Sequence, residues 1–65
     1  MTLAELPKNN KAIIIEVTDK FLIPRGFIQF ELIEVVQKYP LLVRLDKCQW
    51  GLDSDTANNI IVERV

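Results

Sequence analysis

Histidine is missing from this chain of 65 residues, and cysteine occurs only once, at Cys48. Histidine and cysteine are the usual protein ligands of zinc and ferrous iron, and a disulfide needs two thiols. We therefore expect no metal site built from the protein alone and no disulfide, and we expect Cys48 to be a small, half-buried side chain. The missing histidine also removes the commonest general base, and neither a glycine-rich phosphate loop nor a paired nucleophile and base is present. The sequence therefore predicts that the protein binds no cofactor and catalyses no reaction.

The chain also lacks an excess of charge of either sign. Eight basic and nine acidic residues give a net charge of −1, and the basic residues form no stripe that would neutralise a phosphate backbone. No apolar run approaches the roughly 20 residues that cross a bilayer, and the N-terminus has no signal-peptide pattern. We expect no nucleic acid partner, no direct membrane insertion and a cytoplasmic protein.

What the chain does contain is apolar residues, which make up 49% of it. This fraction is typical of a globular protein, and 65 residues leave room for one domain, residues 1–65, with a small core. The predicted strands are rich in β-branched and aliphatic residues and cover residues 11–18, 41–45, 48–52 and 60–65. A helical turn over 55–58, capped by Asp53 or Ser54 and ended by left-handed Asn58-Asn59, is expected before the last strand.

Two features of the middle of the chain decide the topology. Asp46-Lys47 separates two predicted strands by the length of a two-residue hairpin loop. Residues 27–38 are ambiguous, because their spacing also permits a helix. The residues that would face inward are Ile28, Leu32, Val35 and Val36. The alternation of apolar and polar residues and the β-branched second half favour one long strand. The favoured reading is all-β, a small barrel or sandwich of about five strands with one short helical turn before the last strand; the helical reading gives a β-α-β-β module.

Several stretches resemble a known family, the FeoA proteins of bacterial ferrous-iron transport. The opening Thr2-Leu3-Ala4-Glu5-Leu6-Pro7 with the strand after it, the Pro24-Arg25-Gly26 turn, the hairpin strands and the closing Leu52, Ala57, Ile60 and Val62 are similar to that family's pattern. The resemblance covers almost the whole chain and implies an SH3-like barrel. Two departures stand out: Asp19 to Ile23 is shorter than the family's usual, partly helical segment, and Asp53 stands where arginine is common.

The resemblance implies a cytoplasmic accessory protein that acts by protein contact, with the GTPase-bearing cytoplasmic part of a ferrous-iron permease as its partner. Exposed apolar side chains in loops are reasonable interface candidates, and Phe21 and Leu22 are expected to be such a pair. Aromatic residues can line a groove for an extended peptide, although packing into the core is the more frequent role of a residue such as Trp50. The candidate partner-binding residues are Phe21, Leu22, Arg25, Phe27 and Trp50.

A second hypothesis comes from a regulatory class. A free-standing SH3-like barrel similar to the C-terminal domain of metal-dependent repressors would bind a peptide segment or assist dimerisation. The gene neighbourhood separates the two hypotheses, because a permease gene supports the first and a repressor gene the second.

Overall fold

Five antiparallel strands and one short helix are seen in the computed structural model, which describes all residues, 1–65. The strands are β1 (Lys11–Val17), β2 (Leu32–Gln37), β3 (Leu41–Leu45), β4 (Cys48–Leu52) and β5 (Ile60–Arg64), and helix α1 (Ser54–Asn58) precedes the last strand. Two 3₁₀ turns, Leu3–Glu5 and Ile23–Arg25, complete the fold. No helix in this structure has the length and apolar character needed to cross a membrane.

The strands form one sheet in the order β4-β3-β2-β1-β5. Along β1, buried Ala12 and Ile14 alternate with the more exposed Ile13 and Ile15, so that one face of the strand lies on the core. Irregularities in register between Ile14 and Glu16 and between Val35 and Gln37 bend the sheet, since a bulge increases local twist. The resulting particle measures 24 × 22 × 22 Å, as expected for a sheet that curls around its core.

A single core of apolar side chains fills the curl of the sheet, and all buried residues are apolar. The N-terminal 3₁₀ turn and the residue after it contribute Leu3 and Leu6, and α1, which packs against this turn, contributes Ala57. The remaining core residues are Ala12, Ile14, Leu22, Phe27, Ile33, Val35, Leu41, Val43, Leu45, Ile60 and Val62.

The β3–β4 hairpin confirms the prediction of a two-residue loop. Asp46 and Lys47 both have positive φ, 47° and 69°, which gives the loop the right-handed twist that matches its flanking strands. Leu45 and Cys48 face each other across the loop and set the register of the whole hairpin. Cys48 is exposed, so the expectation that it is half-buried was wrong.

Helix α1 begins as predicted and ends differently. Asp53 is its N-cap, and the Asp53 Oδ1 atom accepts a hydrogen bond of 2.7 Å from the Thr56 backbone N–H. The left-handed end predicted at Asn58-Asn59 was wrong, because Asn59 has φ −95° and its N–H donates to the Thr56 carbonyl. The positive φ values among residues other than glycine lie elsewhere, at Asn9, Phe30, Asp46 and Lys47.

Hydrogen bonds from Thr56, first from its side chain and then from its backbone N–H, hold the pKa of Asp53 below its ordinary value. Glu5 is similar. Its carboxylate accepts from the Thr2 backbone N–H at 2.8 Å, and this bond lowers the Glu5 pKa. Both carboxylates therefore fix the start of a short helical segment.

The long strand predicted over residues 27–38 exists only as β2, Leu32–Gln37, and the helical alternative was wrong. Residues 27–31 leave the sheet pattern for two reasons. Gly26, at φ 100°, ends the Ile23–Arg25 turn, and the Phe27 N–H donates to the Leu22 carbonyl, which directs the Phe27 ring into the core. Phe30, at φ 73°, then turns the backbone before β2 begins.

Candidate partner-binding surface

The loop between β1 and β2 is held by its own hydrogen bonds. Asp19 Oδ1 accepts from the Phe21 N–H at 2.9 Å, and Arg25 Nη1 donates to the Phe21 carbonyl at 2.7 Å. The Phe21 ring between these bonds is 79% exposed. The backbone of this loop is therefore fixed at the residue that presents the ring to solvent.

A second exposed aromatic ring follows in the same connection. Phe30 is 72% exposed and has φ 73°, a conformation that is unusual for a bulky residue and costs free energy. The Phe30 N–H donates to the Ile14 carbonyl at 2.7 Å, and the Ile14 N–H donates to the Glu31 carbonyl at 2.9 Å. These two bonds attach the turn to β1 and hold the Phe30 backbone in its strained conformation.

Aliphatic side chains lie between the two ring-bearing residues in sequence and on the outer face of the sheet. Ile23 and Ile28 line a shallow cavity of about 390 Å³ together with Ile15 and Val17 of β1. On the same outer face Leu32 lies opposite Ile13. We call the exposed apolar residues of this connection, together with Leu32 at the start of β2, the outer apolar surface: Phe21, Ile23, Ile28, Phe30 and Leu32.

Charged and polar groups border this surface. Glu16 and Gln29 line the same cavity as Ile23 and Ile28. On the other side of Ile28, Arg25, Glu31 and Asp46 line a second cavity of about 240 Å³. An apolar centre with a mixed polar rim is the usual anatomy of a protein interface.

The structure places the predicted site residues in different environments. Phe21 is exposed, but the expectation that Leu22 is exposed with it was wrong, because Leu22 is only 7% exposed and belongs to the core. Phe27 is fully buried, and Trp50 is half-buried with its ring edge-to-face against Phe27, at 5.9 Å between centroids and 65° between planes. Phe27 and Trp50 therefore pack in and against the core and do not form an exposed groove.

Sequence reasoning missed Phe30, Ile23 and Ile28. The alternation of apolar and polar residues around Phe30 predicts a strand, in which the Phe30 side chain would lie on the inward face with Ile28 and Leu32. A pattern of period two carries no information about a residue with positive φ, where the alternation of faces is broken. The available signal was Pro24-Arg25-Gly26, since the end of a loop favours a further turn over the immediate start of a long strand.

A third cavity lies at the other end of the barrel. It measures about 420 Å³ and includes the exposed Tyr39 together with Leu41, Leu52 and Asp53. The Lys38 ammonium group at its wall donates to the carbonyls of Ala4 and Leu6, at 2.7 and 2.9 Å, and so anchors the N-terminal turn. No three acidic or cysteine side chains of the protein lie close enough together to hold a metal ion.

The family model of the FeoA domain matches residues 1–64. No curated protein matches the chain significantly. Among solved structures, a zinc complex of FeoA from Stenotrophomonas maltophilia is 29% identical, with a TM-score of 0.89 over 97% of this chain and 89% of that chain. That protein is described as a prokaryotic SH3 domain protein proposed to act as a ferrous iron transport activating factor.

Two further solved structures agree. The iron(II) transport protein A of Clostridium thermocellum is 28% identical with a TM-score of 0.87, covering 100% of this chain and 46% of that chain. An FeoA described as an iron uptake regulatory protein has a TM-score of 0.91 at 16% identity, covering 100% and 96%, which supports the fold alone. The predicted all-β, SH3-like fold is thereby confirmed.

Proposed function

Because the chain belongs to the FeoA family, which is implicated in ferrous iron transport, we propose that it is an accessory protein that binds the cytoplasmic, GTPase-bearing part of a ferrous-iron permease and modulates iron uptake. It acts by contact and not by turnover. The family match favours this function over the repressor-like module.

The observation that carries this proposal is the pair of exposed phenylalanines in one connection. Phe21 and Phe30 expose most of their rings, although aromatic rings are among the most costly side chains to leave in water. Their backbones are fixed by hydrogen bonds, so that little conformational entropy is lost when a partner covers them. Rigid aromatic anchors are typical of residues that dominate the free energy of binding.

The role of each side chain follows from its position. Phe21 and Phe30 make the apolar contacts, and Ile23 and Ile28, which line one cavity together with β1, add aliphatic area to the surface. Arg25 is a positioning residue, because its guanidinium group holds the Phe21 carbonyl. A surface of this size favours modest, reversible affinity, as expected for a contact that regulates transport.

The test is a calorimetric titration of the purified protein with the cytoplasmic GTPase domain of the permease from the same host. The variant Phe21→Ser/Phe30→Ser removes both rings from the outer apolar surface. The matched control is Tyr39→Ser, since Tyr39 is 91% exposed but lies at the opposite end of β2. Leu22 is left unchanged because its replacement would disturb the core.

We expect the wild type and Tyr39→Ser to bind alike, and the double variant to bind at least about 30-fold more weakly, from roughly 1 kcal/mol or more for each anchor. A folded wild type that does not bind the domain would refute the permease as partner. Equal binding by wild type and double variant would refute this surface as the contact.

A further inference from the structure

The two edges of the sheet differ in how they are protected. At one edge, the N-terminal residues cover β5: the Val62 N–H donates to the Met1 carbonyl at 2.8 Å, and Thr2 forms a bridge with Ile61. At the other edge, β4 pairs with β3 alone. An uncovered edge presents unpaired N–H and C=O groups to any strand that approaches.

The register of the hairpin identifies those groups. Leu45 and Cys48 close the two-residue loop and form a hydrogen-bonded pair, so bonded and non-bonded pairs alternate from there along the strands. Trp50 and Leu52 consequently bond to β3, while the N–H and C=O of Gln49 and Gly51 point away from it. Both residues are exposed, and neither makes a backbone hydrogen bond outside the sheet.

Strand β4 also lacks the usual devices that keep edges apart. Native edges are commonly protected by a charged residue, a proline or a bulge. All five residues of β4 are uncharged, none is proline, and the pairing with β3 is regular. Gly51 adds no side chain on the outward face that would hinder a second strand.

The charges at the two ends of β4 favour a second copy of the same strand, in antiparallel orientation, as its partner. Lys47 precedes β4, and Asp53 follows it with extended backbone, φ −82° and ψ 166°, so that it continues the direction of the strand. In an antiparallel pair of two identical strands centred on Trp50, Gln49 faces Gly51 of the second copy. The loop residue Lys47, with φ 69°, then lies at the same end of the pair as Asp53 of the second copy. The dyad thus places opposite charges together at both ends.

From this register we propose that two copies of the chain associate through antiparallel pairing of their β4 edges about a two-fold axis at Trp50. The pair is held by four backbone hydrogen bonds between Gln49 and Gly51 and by two Lys47–Asp53 ion pairs. Edge pairing over five residues covers less area than a standard interface, so the dissociation constant lies in the range of about 10 μM to 1 mM.

Sedimentation equilibrium of the purified protein, from about 10 μM to 1 mM and under reducing conditions that exclude a Cys48 disulfide, tests this proposal. The variant Gln49→Pro removes the outward N–H and blocks a second strand without removing a hydrogen bond to β3. Gln49→Ala is the matched control, since it keeps the N–H. Thermal unfolding verifies that both variants are folded.

We expect a monomer–dimer equilibrium in the wild type and in Gln49→Ala, with a dissociation constant at least about tenfold larger in Gln49→Pro, because each lost bond counts twice in a symmetric pair. Raising the salt concentration should weaken the dimer, because the ion pairs are exposed. If Gln49→Pro does not fold, the readout is the concentration dependence of the wild-type amide shifts, which must concentrate at Gln49 and Gly51. A monomer at all concentrations, or a dimer that Gln49→Pro leaves intact, overturns the proposal.

Discussion

At the scale of the residue, Phe30 is stabilised neither by its backbone conformation nor by burial of its ring. Its positive φ is costly for a bulky side chain, and its ring gains little from the fold because it is mostly exposed. Asparagine tolerates this conformation better than phenylalanine. We therefore expect Phe30→Asn to leave stability unchanged or to raise it by up to about 1 kcal/mol, measured by urea unfolding. Destabilisation of more than about 1 kcal/mol would show that the ring packs in the fold and is not held for a partner.

Neighbouring residues in this loop show how far a sequence determines a site. Phe21 and Leu22 are both apolar, and the sequence correctly marks their loop as a place where apolar side chains are exposed. Only one of them is, because the 3₁₀ turn that follows directs Leu22 inward. Outside regular helices and strands no period assigns a side chain to a face, so the choice between adjacent residues depends on hydrogen bonds such as that from Arg25 to Phe21.

At the scale of the element, the cap of α1 gives the protein an acid-sensitive feature. The Thr56 hydrogen bonds lower the pKa of Asp53, so the folded state favours the charged carboxylate and the unfolded chain binds a proton more readily. The stabilisation is complete above the ordinary aspartate value of about 4 and is lost as the pH falls through the lower, folded value. We expect Asp53→Asn, which still caps the helix, to flatten the decline of Tm below pH 4, whereas Asp53→Ala lowers Tm at pH 7 as well.

Thermal unfolding followed by circular dichroism between about pH 2 and 7 measures this difference. Glu5 contributes to the decline with the same sign, since its pKa is lowered by Thr2, so some acid sensitivity must persist in Asp53→Asn. If the Tm of Asp53→Asn declines below pH 4 as steeply as that of the wild type, Asp53 does not contribute to the acid sensitivity.

Strands and caps were the elements that the sequence could predict, and the physical reason is that both are local. β-Branched and other aliphatic residues define β1, β3 and β5, and a capping side chain before a polar turn defines α1. The error at residues 27–31 arose where a tertiary requirement prevailed: Phe27 enters the core from a turn, which alternation along one strand cannot express. Sheet order and the free β4 edge were equally beyond local signals.

At the scale of the whole molecule, the connection that carries the outer apolar surface also contributes a ring to the core. Phe27 belongs to the same connection as Phe21 and Phe30, is the largest fully buried side chain, and contacts Trp50 edge-to-face. A chain of this length has a total stability of about 3–10 kcal/mol, and truncation of a buried phenylalanine to alanine costs about 3–5 kcal/mol. A substitution that removes the Phe27 ring therefore destabilises the whole fold, and with it the outer apolar surface.

We expect Phe27→Ala to be largely unfolded at 37 °C and Phe27→Leu to fold with a reduced Tm, because leucine keeps most of the buried apolar volume. Trp50 is the only tryptophan and lies 5.9 Å from the Phe27 ring, so its fluorescence reports the unfolding directly. A cooperative transition of Phe27→Ala close to that of the wild type would contradict this account. The conformation of the connection between β1 and β2 would then depend on its hydrogen bonds alone, and the positions of the exposed rings would not depend on packing in the core.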